Sequence, residues 1–241
     1  MSVDAVIFDW GGTLTPWRNG DGRAWWRVAA ALVPPAQAEA LGAVLDAAEA
    51  ELWRRARDEH RSGTLAEVFA AAGLAEELHD LAYAAHAAEW EWATFTDPTA
   101  AAVLGALRER DIKVGVLSNT AWRRDEQIFV RDGVNHLIDG AVYTSEIPWT
   151  KPHPEAFHAA MAAVGAIDPS CCVFVGDRLF DDIWGARRVG MRAVLVPHST
   201  IPDHQRGHTD GTPDAVIATL TELLPLVDSW RGAVTEPLSG R

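Results

Sequence analysis

The chain has 241 residues, enough for one sizeable core domain or for a core with a small accessory unit. A formal net charge of −13 argues against a general nucleic-acid binder, because phosphate backbones draw basic surfaces. No apolar run approaches the ~20 residues needed to cross a bilayer, and no basic stretch near Asp4 suggests a secretory leader. The two cysteines, Cys171 and Cys172, are adjacent within an apolar run, which suits reduced core side chains in a cytoplasmic protein better than a disulfide. Lysine occurs only as Lys113 and Lys151, so each is worth locating.

In chain order, residues 3–8 read as a buried strand that stops on Asp9, after which the backbone turns through Gly11 and Gly12 into Thr13. Residues 16–97 hold no convincing strand. Leu41, Val44, Leu45, Ala48 and Leu52 keep helical spacing, as do Leu65, Val68, Phe69 and Ala72. A third helix is expected over 75–93, with Leu78, Leu81 and Ala85 on one face. Beyond it, strands over 112–117, 141–144, 172–175 and 193–196, with a weaker one over 215–217, alternate with helices over 99–109, 125–132, 154–164, 181–189 and 219–227.

That alternation predicts an α/β fold, a doubly wound parallel sheet with helices on both faces. The organisation expected is a core of residues 1–15 and 98–227, an α-helical cap over 16–97, and a polar tail over 228–241 that frays. Four strand or helix ends then carry polar groups: Asp9, Ser118-Asn119-Thr120, Lys151 before Pro152, and Gly176-Asp177 followed by Asp181-Asp182. In a parallel sheet Asp9, Ser118, Asp177 and Asp182 converge at the carboxyl edge, where α/β folds place ligands.

These segments carry a resemblance. Asp9-Trp10-Gly11-Gly12-Thr13, Leu117-Ser118-Asn119, Lys151-Pro152-His153-Pro154-Glu155, and Gly176-Asp177 through Asp181-Asp182 to Gly185-Ala186 resemble, in order, the four motifs of the haloacid dehalogenase-like hydrolase superfamily. The resemblance implies a Rossmann-like core with a helical cap and Asp9 as covalent nucleophile toward a small phosphorylated substrate. Mg²⁺ would be held by Asp9, Asp177 and the carbonyl of Gly11, with Asp182 or Asp181 in support. Lys151 and Ser118 would act on the nucleophile and the phosphoryl oxygens, with Trp10, Gly11 and Asn119 as substrate-binding neighbours. Trp17 is the insertion aromatic best placed to face the site. Trp122-Arg123-Arg124 is expected at the surface, and the chain is expected to be a monomer or homodimer.

Position 11 departs from the phosphatases of that superfamily, which carry there an acid that protonates the leaving group. Such help is typically worth ~10²–10⁴-fold in rate. Two other readings stay open. A metal-free 2-haloacid dehalogenase would use an arginine such as Arg18, Arg23 or Arg27 for halide, although the acids of the fourth motif are then unexplained. A degenerate member would bind a phosphorylated ligand without turnover. A phosphonate-cleaving enzyme needs a cap lysine, and residues 16–97 contain none.

Overall fold

The computed structural model describes residues 2–16, 18, 20–123, 125–197 and 210–232. Six parallel strands form one sheet: β1 (Ala5–Phe8), β2 (Lys113–Ser118), β3 (Gly140–Tyr143), β4 (Cys172–Gly176), β5 (Arg192–Leu195) and β6 (Ala215–Val216). Their order is β3-β2-β1-β4-β5-β6, so the chain winds outward from β1 in one direction and then from β4 in the other. The reversal between β1 and β4 opens a crevice at their carboxyl ends.

Because successive side chains of a strand point to opposite faces, each strand feeds two cores. Val6, Phe8, Val114, Val116, Val173 and Val175 face one, packed with Leu104 and Leu107 of α5 (Ala100–Arg108) and with Leu223 and Val227 of α9 (Leu223–Gly232). Ile7, Leu117, Cys172 and Phe174 face the other, against Phe157 and Met161 of α7 (Pro154–Ala163). The remaining helices of this part are α6 (Asp125–Arg131) and the short α8 (Gly185–Arg188). Among the described residues both cysteines are free, and no helix is long and apolar enough to cross a membrane.

The segment between β1 and α5 folds as α1 (Ala24–Leu32), α2 (Pro35–Glu59), α3 (Leu65–Ala71) and α4 (His79–Trp90) around a third core. Helix α1 was not expected. It buries Trp25, Val28 and Ala29, a three-to-four-residue spacing that aromatic and alanine residues made hard to see. The long third helix expected over 75–93 is broken: short 3₁₀ turns at Glu76–Leu78 and Glu91–Ala93 flank α4. Its buried face uses Ala82 rather than Leu81, which is exposed, and Val44 of α2 is also exposed. The helix expected over 181–189 begins instead as a wide π turn at Leu179–Trp184 and becomes α8. At the other end, α9 continues past Asp228, which Arg110 grips through both carboxylate oxygens at 2.8 and 2.9 Å. Residues 233–241 of the expected tail lie outside the described residues.

Candidate active site

Strand β1 delivers Asp9 to the crevice, where its N–H donates to the Val175 carbonyl of β4 at 2.8 Å. The chain then folds back tightly: the N–H groups of Thr13 and Thr15 both donate to the Trp10 carbonyl, and Gly12 donates to Thr15. Gly12 has φ +93°, and a Cβ there would lie 2.4 Å from Asp177 Oδ2. At the end of β4, a Cβ on Gly176 would sit 2.4 Å from the Asp182 carboxyl carbon. Two glycines thus permit three carboxylates to crowd together.

Asp9, Asp177 and Asp182 are buried, and one oxygen from each lies within 4.8 Å of the others. Lys151, only 3 % exposed, bridges two of them through Nζ, donating to Asp9 Oδ1 at 2.5 Å and to Asp182 Oδ1 at 2.7 Å. The other Asp182 oxygen accepts from the Arg178 N–H at 2.9 Å. Among the described residues, Asp9 Oδ2 and both oxygens of Asp177 have no hydrogen-bond partner. Buried carboxylate oxygens without donors are costly unless something else neutralises them.

Electrostatics report the same crowding. Burial lifts the Asp9 carboxyl to about 6 against the pull of Lys151, and the charge of Asp182 adds to the rise. Burial, then the charges of Asp9 and Asp182, push Asp177 well above the ordinary carboxylate range. Burial alone would lower the Lys151 ammonium, but Asp182 and Asp9 outweigh it and hold the amine protonated. An all-oxygen donor set with surplus negative charge and three orphaned oxygens fits a hard divalent cation. Asp181, the alternative partner, is only half-buried and is not one of the three clustered acids.

The remaining candidates fall as follows. Ser118, at the end of β2, is buried at the same carboxyl edge. Asn119 clamps Lys151, accepting from its N–H at 2.9 Å and donating to its carbonyl at 3.1 Å. That amide, expected to meet substrate, holds the lysine backbone. Trp10 is half-buried, with an indole N–H that finds no acceptor among the described residues. Among the described residues an added Cβ on Gly11 meets nothing within 4 Å, so they leave open space at the place of the missing acid. Trp17 lies outside the described residues. Trp122, expected at the surface, packs on the insertion, 5.0 Å from the Tyr83 ring. Arg124, two residues on, is also outside the described residues.

Arg178 received no role from the sequence, although an arginine set among acids was a visible signal. It is half-buried, and burial is outweighed by Asp177, Asp181, Asp182 and Asp9, which raise its pKa.

The model of the haloacid dehalogenase-like hydrolase family matches residues 3–190. The chain belongs to this family. Among its relatives, a glyceraldehyde 3-phosphate phosphatase from Methanopyrus kandleri is 33% identical over 130 residues, 54% of this chain and 55% of that protein. The chain spans about half the length of the curated relatives it matches. A 2-haloacid dehalogenase structure from Pseudomonas syringae pv. Tomato DC3000 superposes with a TM-score of 0.65 at 27% identity, covering 95% of this chain and 99% of that one. A HAD phosphatase structure from Thermococcus onnurineus gives a TM-score of 0.66 at 21% identity, over 93% and 97% of the two chains, and speaks for the shared fold.

Proposed function

We propose that this family member is a divalent-metal-dependent phosphatase, with Mg²⁺ as the metal, acting on a small phosphorylated metabolite through an aspartyl-phosphate on Asp9. The observation that carries the reading is the set of orphaned oxygens on Asp9 and Asp177 beside the Lys151 bridge. A phosphatase among the relatives supports it. Asp9 and Asp177, with the Gly11 carbonyl, would hold the cation, whose chemistry is to offset the charge of the phosphoryl group and its attacker. Asp182 spends both oxygens on Lys151 and the Arg178 amide, so its part is to fix those groups.

Asp9 attacks phosphorus and the ester P–O bond breaks, its electrons leaving with the alcohol oxygen. Lys151 offsets charge on Asp9 and on the phosphoryl oxygens, which Ser118 and the N–H groups of Trp10 and Gly11 also meet. Water then attacks the same phosphorus, releasing phosphate and the Asp9 carboxylate. Gly11 offers no proton to the leaving oxygen, so the reaction favours leaving groups of low pKa, such as acyl, enol or anomeric phosphates. We assign residues 16–97 as the cap that excludes water from this chemistry.

A second reading, 2-haloacid dehalogenation, has the full-length structural likeness in its favour. Phosphate release from a panel of phosphorylated metabolites and an aryl phosphate, with and without Mg²⁺, separates the two. Under the phosphatase reading, Asp9→Asn abolishes release and chelation suppresses it. Halide release from 2-haloacids without metal would favour the dehalogenase instead. Phosphate release that persists in Asp9→Asn would reject the covalent mechanism.

A further inference from the structure

Thr150 stands immediately before Lys151, is buried, and gives both of its donors to the helical insertion. Its N–H donates to the His60 carbonyl at 2.9 Å and its hydroxyl to the Ala56 carbonyl at 3.3 Å. Both acceptors lie at the C-terminal end of α2, where a helix leaves its last carbonyls without intrahelical partners. The contact continues on either side. Ser62 donates its N–H to Pro148 at 3.1 Å and its hydroxyl to Ile147, and Arg61 forms an antiparallel bridge with Trp149. The His60 ring also lies 6.0 Å from Phe180, in the turn between Asp177 and Asp182.

The backbone at Lys151 is therefore held from two sides, by Asn119 next to β2 and by α2 through Thr150. Its ammonium must reach two carboxylates at 2.5 and 2.7 Å, a geometry with little slack. We propose that Thr150 is a positioning residue: it sets Lys151 between Asp9 and Asp182 only while the end of α2 is docked on residues 147–150. If α2 withdraws, Thr150 loses both acceptors and the Lys151 backbone is left to the Asn119 amide. What the lysine then fails to do rests on the phosphatase reading, whereas the coupling itself does not.

Thr150→Val removes the hydroxyl at nearly constant volume, and Thr150→Ser restores it. The lysine content supplies a readout independent of any substrate. Lys151 has a side chain 2% exposed and Lys113 one 59% exposed, so acetylation by an amine reagent followed by peptide mass analysis scores one against the other. We expect Lys151 to label several-fold faster in Thr150→Val than in the wild type, Lys113 to be unchanged, and Thr150→Ser to return to the wild-type ratio. With Mg²⁺ and an aryl phosphate, kcat of the valine variant should fall about tenfold with KM little changed, and serine should rescue it. Equal Lys151 labelling in all three proteins would overturn the proposal. Faster labelling in the valine variant, with no phosphate release from any protein, would reject the phosphatase reading and leave the coupling standing. Should the valine variant not fold, Ser62→Ala removes the anchor at Ile147 and is read the same way: faster Lys151 labelling supports the coupling, and unchanged labelling overturns it.

Discussion

Adjacent glycines at positions 11 and 12 have opposite requirements. Gly12 has φ +93° and lies against Asp177, so a side chain there would be strained and would displace a carboxylate. Gly11 is not among the positive-φ glycines, and no atom of the described residues lies within 4 Å of its Cβ position. Gly11→Asp should therefore be accommodated and supply the absent proton donor. We expect turnover of alkyl phosphates, whose leaving groups need protonation, to rise about 10–100-fold while that of an aryl phosphate changes little. Equal rates for both variants on both substrate types would show that another group already donates. Asp177 makes a second prediction. Its folded-state pKa lies above the ordinary value, so the charge penalty of burial is absent while it is protonated and destabilises as pH rises through that raised pKa. Without divalent cation, Asp177→Asn should melt a few degrees above the wild type at pH 8, and the gap should close toward pH 4. Added Mg²⁺ should raise the melting temperature of the wild type more than that of the variant. A scanning-fluorimetry series over pH, with and without metal, checks both statements.

At the level of elements, the sequence shows its sheet more clearly than its insertion, for a physical reason. Parallel strands buried on both faces read as short apolar runs, and their ends carry the polar groups, so Asp9, Ser118 and Asp177 could be placed on one edge before any contact was known. Helices packed on one side leave only a periodic stripe, and Ala-rich segments blur it. Thus the pattern does not mark α1, and in α4 the buried position is Ala82 rather than Leu81. Partners distant in sequence were invisible. Nothing in the local pattern reveals that Asp228 of α9 meets Arg110, or that the Asn119 amide closes on the Lys151 backbone 32 residues away. Lys151 itself stood out through its rarity and its neighbouring Pro152. Thr150 did not, because both of its acceptors are carbonyls at the end of α2.

The whole molecule combines two cores on the faces of one sheet with a third inside the insertion. Asp9 and Asp177 directly follow β1 and β4 and Asp182 lies in the π turn after β4, and among the described residues no acid of the insertion joins them. A cation bound there should therefore stabilise the sheet directly and the insertion only through contacts such as that of Thr150 with α2. Phe69 is the place to test this. It is fully buried in the insertion, with ring centroids of Tyr83, His79 and Trp25 at 5.0, 5.3 and 6.4 Å. Phe69→Ala should cost about 3–5 kcal/mol by cavity formation. If the insertion is its own cooperative unit, the variant should unfold in two steps, with helical circular dichroism lost first. Excess Mg²⁺ should then raise the midpoint of the second step and leave the first nearly fixed. A single transition, shifted as a whole by both the substitution and the metal, would instead mean that the docked segment at residues 147–150 fuses insertion and sheet into one unit. Hydrogen exchange followed separately in α3 and β4 distinguishes these outcomes, because independent units protect their amides to different free energies.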